Sequence, residues 1–185
     1  MTTRDTILNL ADHLIKDKGF NAFSFHDLSR TIGIKTASIH YHFPTKTDLV
    51  IAVIRQHIDR FAALKESLAD KDPITKLRGF FSIYAQLKKE NKVCLVGSLA
   101  TDLHTVDERI QGELKTLAGQ ILDWVTDILQ EGQEQGIFHF DVPVRTKAIL
   151  IITNMMAIVQ LSRLTGDDDF KLVKYTILEE LQTTH

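Results

Sequence analysis

A chain of 185 residues with 44% hydrophobic content is long enough for one small module beside one larger core, and too apolar to stay unfolded. Its net charge of −2 excludes a generic polyanion binder. The charge is uneven: residues 1–60 hold eight Lys/Arg against six Asp/Glu and five of the eight histidines, and the remainder holds 14 against 18. That split agrees with nucleic-acid binding at the N-terminal end, but only folding could gather it into a patch.

Hydrophobic spacing is helical from end to end, which predicts an all-α protein. Ile7, Leu10, Ala11, Leu14 and Ile15 form one stripe, preceded by Thr2-x-x-Asp5, a capping-box pattern. Ser24-Phe25-His26-Asp27 is a second box, and Phe25, Leu28 and Ile32 continue it as a short helix. Gly33 follows, where a left-handed backbone costs least for glycine, so the next helix leaves at a sharp angle. That helix, Lys35 to Phe43, turns Ile39 and Phe43 inward and leaves Thr36/His40, Ala37/Tyr41 and Ser38/His42 on its other sides. The result is a helix-turn-helix whose outer side is unusually polar and aromatic. Short hydroxyls and methyls near the start of such a helix suit base edges, and Tyr41, His42 and Lys46 carry donors that suit phosphate. A small corner with solvated polar residues fits the same spacing.

Pro44 ends the pattern and Thr45-x-x-Asp48 opens a long helix from Thr47 toward Ala69. Asp72-Pro73 starts the next, which Asn91-Lys92 breaks. A short helix spans Cys94 to Asp102, and Thr105-x-x-Glu108 caps a long one running to about Glu134. Asp141-Val142-Pro143 opens a helix to about Thr165, and Gly166 with Asp167 to Asp169 precedes the last. The Val144–Leu164 stretch is apolar on most of its circumference, which fits a central core helix and, near the chain's end, better predicts one face in its own domain and another against a partner.

The stretch from Phe20 to Leu49 resembles the DNA-binding domain of the TetR family of bacterial transcription regulators. The matching residues are Gly19-Phe20, Ser24, Asp27-Leu28, Gly33-Ile34, Ser38-Ile39, Tyr41-His42-Phe43, Lys46 and Leu49. The resemblance implies a DNA-binding domain over 1–46 and a helical ligand-sensing and dimerisation domain over 47–185. It implies a DNA-contact set of Ser24, Lys35, Thr36, Ala37, Ser38, His40, Tyr41, His42 and Lys46. Within that set Lys35 to Ser38 lie nearest the bases, and Tyr41, His42 and Lys46 grip phosphates. His40 stands where the family usually has tyrosine, and a group that titrates near neutrality there predicts weakly pH-dependent binding. The last two long helices would form a homodimeric four-helix bundle, placing two recognition helices on an imperfectly palindromic double-stranded operator.

The resemblance further implies a site for an unknown small-molecule effector among the central helices. Candidate linings are Phe80, Phe81, Tyr84, Leu87, Leu99, Trp124, Ile128 and Met155, with Tyr84, Trp124 and Asn154 as polar handles. Ordinary core filling explains the same residues. Cys94 opens a short helix after Lys88-Lys89-Glu90-Asn91-Lys92, and a helix start with nearby ammonium groups would stabilise a thiolate. Modification of Cys94 is therefore a candidate trigger for release, set against a small buried hydrophobe.

The single cysteine excludes an intrachain disulfide and fits a reducing cytoplasm. The N-terminus leads into an amphipathic pattern, so no secretory signal is expected. Ala148 to Val159, the most apolar run, is too short to span a bilayer and is interrupted by Thr153 and Asn154. His40-x-His42 does not share a helix face, Asp167 to Asp169 lacks a calcium-loop pattern, and neither a phosphate loop nor a nucleophile elbow is present. No catalytic residue, metal or cofactor is expected. A ligand-responsive repressor is the leading reading, and a helical carrier or enzyme with a vestigial DNA-binding corner is its rival.

Overall fold

A computed structural model describes residues 2–183, and all regular structure among them is helical. In chain order the helices are α1 (Thr3–Lys18), α2 (Phe25–Ile32), α3 (Thr36–His42), α4 (Lys46–Ser67), α5 (Pro73–Lys89), α6 (Leu95–Thr101), α7 (Glu108–Glu134), α8 (Val144–Thr165) and α9 (Asp167–Gln182), with a 3-10 turn at Phe20–Ala22. The chain divides into two compact units, Met1–Phe61 with Cys94–Ala118, and Ala62–Val93 with Gly119–His185.

In the first unit, helix ends lie where local chemistry sets them. The Thr2/Asp5 and Ser24/Asp27 boxes both close reciprocally, side chain to backbone in each direction. At the start of α4 the Thr45 hydroxyl accepts the Asp48 N–H at 3.1 Å while Asp48 accepts from Thr45. Gly33 ends α2 at φ +78, and its N–H closes on the Ser29 carbonyl. That left-handed residue turns the chain so that Ile39 and Phe43 join Ile7, Ala11, Leu28, Leu49 and Val53 in one buried core.

The segment after Cys94 also belongs to this unit. The buried Ser98 hydroxyl donates to the Ile15 carbonyl at 2.6 Å, and the Asp102 carboxylate accepts the Phe20 N–H and the Asn21 amide, each at 2.9 Å. Arg55 donates to Glu113, and Arg109 reaches Asp48 at 3.3 Å. The expected Thr105 cap for α7 is replaced by Asp107, which accepts the Arg109 N–H at 2.8 Å. Because the helix starts at Glu108, the residue in capping position is the one before it.

In the second unit, α5 starts on Asp72 with Pro73 in the first turn, and packs Phe80, Phe81 and Tyr84 into an apolar core with Trp124, Ile128 and Met155. Lys88 ties α5 to the α8–α9 junction, donating to the Ser162 carbonyl at 2.9 Å and pairing with Asp167 at 2.8 Å. Gly132 lets Phe138 lie directly on α7, and a Cβ there would overlap the Phe138 ring, which is buried, so the ring would have to shift within the core. Gly132→Ala should therefore destabilise the protein by about 1–3 kcal/mol through overpacking, despite the ~1 kcal/mol that alanine gains over glycine in a helix. A lowered urea midpoint with unchanged slope would report it.

Helix α8 buries Ala148, Ile151, Met155, Ile158, Val159 and Ser162. Its opposite side leaves Ile149, Leu150, Leu161 and Leu164 exposed, and α9 adds Leu172 and Tyr175. By length and composition this helix could cross a membrane, contrary to the expectation from Ala148–Val159 alone, because the continuous helix extends well beyond that run. One face nevertheless packs within the unit, against α5 and α9.

Candidate nucleic-acid interface

The outward side of α3 is built by the Gly33 turn. Lys35 is its N-cap, and Lys35, Ala37, His40 and Tyr41 are exposed, Tyr41 by 84%. Tyr41 meets the half-buried His42 edge to face, with centroids 5.1 Å apart. Ser38 is partly exposed and shares a shallow groove with Thr3, Ile34, Ala37, Tyr41 and His42. Hydroxyl, methyl, phenol and imidazole thus lie together on a protruding helix, an arrangement that suits the edges and backbone of a duplex groove.

Other residues of the expected contact set have internal partners. The Thr36 hydroxyl donates to Ser29 Oγ at 3.2 Å, joining α3 to α2. Ser24 closes the α2 cap, its hydroxyl donating to Asp27 at 2.7 Å, and that bond holds the exposed Asp27 carboxyl below its ordinary pKa. His40 stacks edge-on against Phe25, with centroids at 4.9 Å, and its Nδ1 lies 3.1 Å from the Pro44 carbonyl. A carbonyl only accepts, so that bond requires the proton on Nδ1.

Lys46 departs furthest from the expected geometry. Its ammonium donates to the Phe20 and Phe23 carbonyls, both at 2.5 Å, and sits 4.3 Å from each of their ring centroids. Burial lowers its pKa, against the partial opposition of Asp102 and Asp27. Two of its three N–H donors are engaged, so in this structure it fastens the 20–23 turn to the start of α4.

The candidate effector linings fall in two places. Phe80, Phe81, Tyr84, Leu87, Trp124, Ile128 and Met155 are buried in the second unit, whereas Leu99 is buried in the first. Asn154 is exposed and donates to the Leu150 carbonyl of its own helix at 2.8 Å. Cys94 caps α6, its sulfur accepting the Gly97 N–H at 3.2 Å. Burial nevertheless pushes the thiol pKa up, outweighing the backbone hydrogen bonds that lower it. The expected thiolate stabilisation is thus reversed: desolvation dominates over the cap, and the Lys88 ammonium is engaged by Ser162 and Asp167.

Thr3 and Arg4 also lie beside α3, a placement that sequence reasoning did not find. They lie in the first turn of α1, and no local spacing signals that this turn borders α3.

Comparison with known proteins agrees with this geometry. The family model for bacterial regulatory proteins, tetR family, matches residues 7–53, and the model for a tetracyclin repressor-like C-terminal domain matches residues 73–171. The HTH-type transcriptional repressor KstR2 of Mycolicibacterium smegmatis is 30% identical over 145 residues, covering 76% of this chain and 70% of the relative. The repressor NicS of Pseudomonas putida is 26% identical over 83% of this chain and 73% of its own. Among solved structures, a TetR transcriptional regulator from Legionella pneumophila superimposes with a TM-score of 0.87 at 34% identity over 98% of both chains. A regulator of the same kind from Agrobacterium tumefaciens gives 0.89 at 28% identity over 97% of both.

Proposed function

Because the chain belongs to the tetR family of bacterial regulatory proteins and carries its DNA-binding helix-turn-helix, we propose that it works as a homodimeric repressor released from a palindromic operator by a small molecule. The observation that carries this reading is the outer side of α3, where Ala37, Ser38 and the 84% exposed Tyr41 protrude together on a helix fixed by the Gly33 turn. Lys35, Ala37 and Ser38 face the bases, with Thr36 beside them, and Tyr41 and His42 face phosphates. Ser24, His40 and Lys46 act by holding α2, α3 and the start of α4 in register for that contact.

The described residues hold one such helix, and the uncovered apolar side of α8 and α9 supports a second copy as the source of the other. Two recognition helices then meet successive major grooves on one face of an imperfect palindrome. The effector is a small, largely apolar molecule that binds among the aromatic and methionine side chains of the second unit. By binding one arrangement of the dimer better than the other, it would shift the spacing of the recognition helices. The protein acts on DNA in the cytoplasm, as a regulator and without catalysis.

Footprinting on the intergenic DNA beside the protein's own gene tests the assignment. A protected imperfect palindrome is expected. Tyr41→Phe should weaken binding to specific and scrambled duplexes alike, while Ser38→Ala should change sequence preference, each by about 1–3 kcal/mol. Equal affinity of the unaltered protein for intergenic and scrambled DNA would sink the reading.

A further inference from the structure

We infer that Arg4, in the first turn of α1, is a DNA-phosphate contact flanking the recognition helix, and that it supplies the charge that Lys46 does not present. The inference rests on the regulator reading above and adds a residue that the helix-turn-helix motif does not contain.

The first observation is where Arg4 is held. Its guanidinium lies 5.1 Å from the centroid of the Phe43 ring, the residue that ends α3. A cation over a ring face is fixed in place while its edge N–H donors stay available. Arg4 is exposed and forms no ion pair among the described residues.

The second observation concerns its neighbours. Arg4 shares a cleft with His42, Phe43, Asp5, Asp48, Arg55 and Asp59, among others. The other arginine there, Arg55, is bound by Glu113 through two nitrogens. Asp5 closes the α1 capping box, and Asp48 is engaged by Thr45 and Arg109. Arg55 is thus held by an acid, whereas Arg4 forms no salt bridge among the described residues and only adds its charge to the Thr2 hydrogen bonds that lower the Asp5 pKa; Asp59 also lines the cleft.

The third observation is what lies alongside. Thr3, the residue before Arg4, lines the groove formed with Ala37, Ser38, Tyr41 and His42. A duplex received by that side of α3 passes over the first turn of α1, bringing its sugar–phosphate edge to Arg4. A guanidinium fork matches two phosphate oxygens, and unlike Lys46 it has no internal carbonyl to satisfy.

Salt dependence separates a phosphate contact from a merely structural arginine. Binding of a fluorescein-labelled intergenic duplex and of a scrambled duplex is measured by anisotropy across a salt series, for the full protein and for Arg4→Ala and Arg4→Lys. Each lost phosphate contact lowers the slope of log K against log salt by about 0.9. Arg4→Ala is expected to weaken both duplexes by the same factor and flatten the slope by roughly two for a dimer, one contact per protomer. Arg4→Lys should restore most of the slope and only part of the affinity. A slope unchanged in Arg4→Ala overturns this inference while leaving the regulator reading intact. Failure of the unaltered protein to prefer the intergenic duplex overturns both.

Discussion

In the homodimer proposed above, Leu161→Glu is expected to leave a folded monomer with at least about a hundredfold weaker operator binding. Leu161 is 53% exposed on α8, on the same uncovered side as Leu150 and Leu164. A carboxylate there costs little in the isolated chain, where water reaches it. In a dimer it would be buried without a partner, which costs several kcal/mol. Losing the second recognition helix removes bivalency, worth ~10²–10⁴ in affinity without any change in the contacts each half makes. Light scattering should show half the mass, thermal melting by circular dichroism should show the fold retained, and a mobility shift should show the loss on DNA. A Leu161→Glu variant that stays dimeric at micromolar concentration would remove α8 from the interface.

The second large effect concerns a buried charge cluster in the first unit. Asp12 on α1 is 7% exposed, pairs with Lys16 at 2.8 Å, and accepts from His57 Nε2 on α4 at 2.7 Å. Asp12→Ala leaves Lys16, itself 9% exposed, without its carboxylate. Removing one member of a buried pair costs about 3–5 kcal/mol, much of a small domain's stability, so a sharply lowered urea midpoint is expected.

The same cluster makes stability depend on acid. Burial alone would raise the Asp12 pKa, but the hydrogen bonds and charges of His57 and Lys16 together outweigh it and hold the carboxyl below its ordinary 3.8. The folded pKa is thus lower than the unfolded one. The stabilisation is complete above the unfolded value and fades as pH falls through the folded value. The capping carboxylates Asp27, Asp48 and Asp72 are depressed in the same direction by their Ser24, Thr45 and Thr75 partners and act in the same pH window. Asp12→Asn should flatten the acid limb of a stability profile below about pH 4 relative to the unaltered protein, and an unchanged limb would exclude the cluster as its source.

The helix-turn-helix was legible because its signals are local. Ser24 finds Asp27 three residues away, Gly33 sits where the backbone turns left-handed, and Thr45 finds Asp48. Such contacts form within one helical turn whatever the rest of the chain does, so reading residues in order recovers them. Family resemblance then turned a polar corner into a DNA-binding one, which spacing alone left open. The apolar girdle of α8 was legible for a similar reason, since periodicity reports how much of a helix avoids water.

The roles of individual polar groups were not legible, because they depend on partners far along the chain. Lys46 reads as a phosphate grip until folding brings the Phe20 and Phe23 carbonyls around its ammonium. Cys94 reads as an activated thiol until burial outweighs its helix-start position. Arg4 has no motif at all and becomes a candidate only because α1 begins beside the end of α3. Periodicity, caps and turn glycines by themselves determined an all-α chain with a helix-turn-helix and an over-apolar penultimate helix. Which donors remain available to DNA was decided only by tertiary structure, because desolvation and hydrogen-bond competition depend on surroundings assembled from distant segments.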